Sequence, residues 1–225
     1  MNKFILYVLL ILPIYCEAQD YGIKIIYNLS THTNYNPEVT EDGPIQWDIL
    51  PGIGIEVFYE WRTYKNLMIN SAFGYQQKGY KEIAQTGIIG PGGTPISNNI
   101  LSNRINVLAL STDIAYDLIL NENIFLSPYL GIELNANNSR SLESEMVWPI
   151  YESYPVKNYQ DNWKKIYFNY LIGARCKFKN IISIEAGFSR SFTPVMKLDD
   201  LIIKDWIWTL KLGIGIKELV KKDNN

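Results

Sequence analysis

The sequence predicts an all-β fold, an eight-stranded antiparallel up-and-down transmembrane barrel with short periplasmic turns and four long outer loops. Three observations lead there. Large apolar residues recur at every second position through eight separate runs. Each run is at or near the roughly nine to eleven residues that a tilted strand needs to cross a bilayer. The connections between runs alternate short and long, as they do in a barrel with one turn-rich rim and one loop-rich rim.

The run WIWTLKLGIGI, residues 206 to 216, carries the pattern most plainly. Trp206, Trp208, Leu210, Leu212, Ile214 and Ile216 alternate with Ile207, Thr209, Lys211, Gly213 and Gly215. A period of two puts the sets on opposite faces of a strand. A soluble sheet would bury the apolar set and wet the other. A membrane barrel turns the apolar set to lipid and the polar set to its lumen.

The chain opens with Lys3 and the apolar run FILYVLLILPIY, followed by Cys16 and Ala18. This is the length and order of a secretory signal, so residues 1–18 are expected to be a cleaved signal peptide and residues 19–225 the outer-membrane domain. The same run is too short for a spanning anchor. Tyr15 precedes Cys16 where a lipoprotein signal has a small residue, so lipidation is not expected. Cys176 then remains the single thiol, and the fold must be held by its sheet.

Eight candidate strands follow. Residues 21 to 30 set Tyr21, Ile23, Ile25, Tyr27 and Leu29 against Gly22, Lys24, Ile26 and Asn28; residues 52 to 62 set Ile53, Ile55, Val57, Tyr59 and Trp61 against Gly54, Glu56, Glu60 and Arg62. The third and fourth, residues 67 to 79 and 106 to 118, place Asn70, Gln76, Lys78, Ser111, Asp113 and Asp117 opposite apolar partners. The fifth has Ser127, Tyr129, Glu133 and Asn135 on its polar side, the sixth Asn169, Arg175 and Lys177, the seventh Ser183, Glu185 and Ser189. The eighth is the run quoted above. TYKN, NEN and KN suit tight turns. The remaining connections, roughly 31–50, 80–104, 136–164 and 190–204, are expected to be loops.

The ionisable residues on the polar faces are Lys24, Glu56, Glu60, Arg62, Lys78, Asp113, Asp117, Glu133, Arg175, Lys177, Glu185 and Lys211. An eight-stranded interior is only just wide enough to be filled by side chains, so it suits this Gly-rich set better than the bulky apolar one. The twelve charges are therefore expected to form a lumen network, paired because an unpaired charge there is costly. The simplest reading of that network is a structural plug, and the alternative is a small gated pore. A soluble periplasmic, lipocalin-like cup for an apolar ligand would need the two faces exchanged.

Chemistry has little support. A net charge of −2 and a pI near 5.5 leave no footprint for nucleic acid. His32, the only histidine, falls where the first strand meets its loop and is expected to be an exposed loop residue. Asp199 and Asp200 fall short of a calcium-loop pattern, and Asp113 and Asp117 stand about 13 Å apart along one strand, too far for an acid pair. TGIIGPGGTP, residues 86 to 95, reads as an irregular excursion without the lysine and helix of a phosphate loop. No enzyme activity and no cofactor are expected. The third long loop carries Trp148, Tyr151, Tyr154, Tyr159 and Trp163, which suit either a recognition surface or an interfacial girdle, Trp163 lying nearer the girdle. Tyr21, Trp61, Trp206 and Trp208 read as girdle or lipid-face residues.

The ordered stretches EAQDYGIK, GIGIEVFYEW, SAFGYQQKGY, SPYLGIEL, NYLIGARCKF, IEAGFSRSF and WTLKLGIGI resemble the PorT-like outer-membrane β-barrel family of Bacteroidota over most of the mature chain. Two features depart from that family: Ser111 stands where a proline is frequent, and KELVKKDNN follows Ile216 where many such barrels end on an aromatic. The resemblance implies an eight-stranded barrel in the outer membrane. The expected role is a scaffold embedded in outer-membrane lipid whose loops meet a surface or secretion partner, with a pore or secretion-system accessory as the alternative.

Overall fold

The computed structural model describes residues 20–34, 46–64, 66–89, 95–146, 163–179, 181–198 and 201–217. Its strands are β1 (Asp20–Asn34), β2 (Gln46–Asp48), β3 (Leu50–Tyr64), β4 (Leu67–Ile89), β5 (Pro95–Tyr116), β6 (Leu118–Asn121), β7 (Ile124–Met146), β8 (Ile166–Phe178), β9 (Ile182–Ser191), β10 (Met196–Leu198) and β11 (Leu201–Gly215). Eight of them, β1, β3, β4, β5, β7, β8, β9 and β11, follow one another as antiparallel neighbours, and β11 pairs back with β1. The sheet is a closed eight-stranded barrel. β6 continues β5 past a break at Asp117, while β2 and β10 pair with β4 and β11 at the opposite rim.

The register fixes the geometry. Stepping across the ladder from Tyr21 leads through Tyr59, Ser71, Thr112, Ile132, Tyr170, Arg190 and Trp206 and returns to β1 at Thr31. The circuit closes ten residues up the first strand, from 21 to 31. With ordinary strand rise and spacing, that stagger over eight strands tilts them by roughly 40°. Such a barrel has no open lumen beyond what its side chains fill.

The faces are those of a membrane barrel. Ile25, Leu130 and Trp208 on the outside are 63%, 62% and 56% exposed, whereas Lys24, Glu185 and Arg175 on the inside are 1%, 2% and 0% exposed. A charged interior and an apolar exterior exclude the lipocalin-like cup, whose polarity is the reverse. Among the described residues no helix is long and apolar enough to cross a membrane.

All four expected loops are partly ladder, the fourth through Met196↔Ile203 to Leu198↔Leu201. β4 runs to Ile89, β5 begins at Pro95 and β7 runs to Met146, so β4 and β5 stay paired through Thr86↔Ser97 and β5 and β7 through Asn99↔Met146. Residues 86–89 and 95 of TGIIGPGGTP therefore belong to β4 and β5, and residues 90–94 lie outside the described residues. Apolar alternation ends where lipid ends, but backbone pairing continues into water, and the sequence signal follows the first. β1 likewise extends to Asn34 alongside β11, because the stagger raises β11 beside it.

Tyr129 shows how the interior is filled. Its ring lies sideways in the lumen across the neighbouring strands β8 and β9, where a Cβ on Gly173 would come within 2.6 Å of the phenol and one on Gly187 would collide with its hydroxyl. Glycine at both positions leaves the space that this ring occupies over its cross-strand neighbours. Gly187→Ala is expected to lower stability by about 1–3 kcal/mol. Urea unfolding in phospholipid vesicles reads this, and adding Tyr129→Phe, which removes the colliding oxygen, should recover part of the loss.

Candidate functional site

The period of two turns the even residues of β1, β3 and β4 and the odd residues of β5, β7 up to Asn137, β8, β9 and β11 inward, so one polar column per strand meets in the lumen. At the turn rim, Arg62 reaches Asp117 at 3.5 Å and lies over the Phe125 ring, while Ser127 donates to Asp117. One layer up, Lys177 pairs with Glu60 and also approaches the Met68 sulfur.

Arg175 is the hub. Its Nε is 2.6 Å from Glu185 Oε1, Nη2 is 3.2 Å from Asp113 Oδ2 and Nη1 is 3.5 Å from Glu60 Oε1. The planar guanidinium thereby joins carboxylates from β9, β5 and β3, which a lysine could not do with the same geometry. Its charge also faces the Tyr129 ring at 5.4 Å. Lys24 closes the next layer, 2.6 Å from Glu185 and 3.8 Å from Glu56, and Lys211 bonds both oxygens of Glu56 at 2.9 Å. Higher still, Lys78 lies 2.6 Å from Glu133 and donates to Asn135, and Gln76 and Asn169 donate to Glu133.

All twelve sequence-selected charges thus lie in ion pairs, six cations against six anions. Asp113 and Asp117 are held apart, one by Arg175 and Asn70, the other by Arg62 and Ser127. Between Asp113, Tyr129, Glu133, Glu185 and Lys211 the lumen retains a gap of about 20 Å³, room for about one water. Among the described residues no group of His, Cys, Asp and Glu converges as a metal site.

A second cluster lies at the outer mouth, and sequence reading placed its residues elsewhere. His32, expected to be exposed in a loop, is 3% exposed and its Nδ1 is 2.8 Å from Asp205 Oδ1. The cause is the extra length of β1, which carries the inward parity of Asn28 and Ser30 on to His32 opposite Asp205. Its ring contacts Tyr80 at 4.2 Å and Trp163 at 5.6 Å. Trp163, read as nearer the girdle, instead stacks on Tyr80 and lies under Arg140 at 4.3 Å. Arg140 faces Asn103, whose amide donates to Tyr80. Arg140 points there because a bulge at Asn106/Val107 places one extra residue on β7 and exchanges its faces above that point. No periodicity count locates such a bulge.

Trp148, Tyr151, Tyr154 and Tyr159 lie outside the described residues, as do residues 1–18, Asp199 and Asp200. Tyr21 and Trp208 are exposed on the outer face and Trp61 and Trp206 are half-buried there.

The fold and this interior define a membrane-spanning eight-stranded barrel. No family model and no curated protein matches the chain. Among solved structures it is similar to Ail, the attachment invasion locus protein of Yersinia pestis, at 13% identity and a TM-score of 0.40, covering 87% of this chain and 97% of that one. It is also similar to Neisserial surface protein A, at 12% identity, a TM-score of 0.41 and 86% and 96% coverage, and to OprG from Pseudomonas aeruginosa, at 8%, 0.39, 88% and 95%. At these values the architecture rests on the chain's own register.

Arg175→Met leaves three buried carboxylates short of a cation. It should cost about 3–5 kcal/mol, whereas Arg62→Ala, at a side chain 42% exposed, should cost at most about 1 kcal/mol. Tryptophan fluorescence during urea titration of the vesicle-embedded protein distinguishes the two, and equal losses would deny Arg175 its place as hub.

Proposed function

We propose that this protein is a non-enzymatic outer-membrane β-barrel that acts as a membrane scaffold, presenting its outer end to a surface or secretion partner. The observation that carries this reading is the lumen: twelve mutually paired charges and, among them, a water-sized gap. An ion entering such an interior would have to break several buried pairs at once, which disfavours conduction. Function is then left to the ends of the barrel. β4 and β7, with 23 residues each, and β5, with 22, are about twice the length a crossing needs. They lift a three-stranded sheet beyond the apolar band.

The outer membrane is the bilayer suited to a closed strand barrel with short turns on one rim and long excursions on the other. Membership of the PorT-like family is part of the proposal, supported by the order of the strand motifs from GIGIEVFYEW to WTLKLGIGI. Cleavage after Ala18 is part of it too.

Fractionation of the expressed protein should recover it in the outer membrane, migrating faster unheated than boiled. Reconstituted in planar bilayers, it should carry no steady ion current. Stable conductance steps would replace the scaffold with the gated pore, and recovery in the soluble periplasm would remove both.

A further inference from the structure

The lipid-facing wall is uneven at one place. Where β1, β8, β9 and β11 lie side by side, Ala186 sits among Tyr27, Ile172, Phe188, Trp208 and Leu210, and the missing side-chain volume leaves an apolar groove of about 430 Å³. Nothing polar of consequence lines it, so in a bilayer it takes hydrocarbon.

Its two ends differ. Toward the turn rim the outward rows continue with Ile184, Leu212, Ile25 and Ile23, all exposed and uncharged. Toward the outer rim, Arg190 stands four residues up β9 from Ala186, about 13 Å along the strand. Its guanidinium lies over the Trp206 ring at 4.6 Å, and Trp206 is set edge-on against Phe188, which also contacts Trp208. Lys204 follows Trp206 two residues further out on the same outward row. A cation fixed on an aromatic face at the edge of the apolar band, with a second beside it, is a setting for a phosphate. The spacing between cation and groove is that of a lipid headgroup above its own acyl chain.

We propose that this groove and the Arg190 and Lys204 pair form a site for an outer-leaflet lipid whose phosphate carries net negative charge uncompensated within its own headgroup, its chain along Ala186 and that phosphate at the two cations. The site depends on the barrel spanning the membrane, and not on what the loops contact. Its charge asymmetry sets the direction of the bound lipid: a headgroup toward the turn rim would find no cation on these rows.

The test uses the full chain extracted from membranes, incubated with equal amounts of phosphatidylglycerol and phosphatidylcholine in detergent, and native mass spectrometry of the lipids retained. Wild type should prefer phosphatidylglycerol, and R190Q and K204Q should each reduce that preference about fivefold, the value of one cation near a charged surface, while R190K keeps it. A186F should lower retention of both lipids. Heat-modifiable migration shows that each variant is folded. Equal retention of the two lipids by wild type, or a preference unchanged in R190Q and K204Q, overturns the site. So does a dimer mass in wild type that A186F abolishes, because the groove would then seat a second copy of the chain. Failure of the lipid test with outer-membrane recovery intact would leave the scaffold reading standing.

Discussion

Closure of the sheet through β1 and β11 is the constraint on which the rest depends. Thirteen residue pairs, from Gly22↔Gly215 to Asn34↔Ile203, join the first and last crossings. Without that seam, two strand edges would present unpaired N–H and C=O groups to hydrocarbon, at several kcal/mol apiece. Closure also sets the stagger at ten, the stagger sets the tilt, and the tilt sets which inward side chains share a layer. Arg175 meets Glu60, Asp113 and Glu185 because strands distant in sequence are brought to one height by that stagger.

The interior is an ion-pair lattice where a soluble protein would have an oily core. Such a lattice is not the most stabilising filling available, since hydrophobic replacements of buried ion pairs are frequently neutral or better. Its value here is fidelity. The chain must cross water before it meets lipid, and a strand apolar on both faces would offer no reason to place one face outward. Charges at Lys24, Glu56, Glu185 and Lys211 make the wrong face costly, and a one-residue slip would put all of them into lipid. Tyr129, packed over Gly173 and Gly187, supplies the bulk that the ion pairs leave unfilled.

The wall is differentiated along its height. Paired charges occupy the turn end and middle of the lumen, and an aromatic cluster of His32, Tyr80 and Trp163 with Arg140 occupies the outer mouth. Outside, the apolar band ends at an aromatic and cationic margin that includes Trp206 and Arg190. Above it the long strands continue as a sheet in water. Each zone has its own solvent, and each uses the residue types that solvent permits.

The sequence by itself determined the fold class, the eight crossings, the face of each residue within them and the twelve lumen charges. The reason is that a strand's period is two, and that lipid and a narrow lumen demand opposite chemistries, so alternation is written directly in residue order. It did not determine where the strands stop, because pairing above the membrane needs no apolar alternation. It did not place His32 and Asp205 together, since their meeting depends on the stagger between the first and last strands. Nor did it turn Arg140 inward, which a single bulge decided. Partners, heights and the groove at Ala186 belong to the closed barrel, because each is a relation between strands and no strand carries it alone.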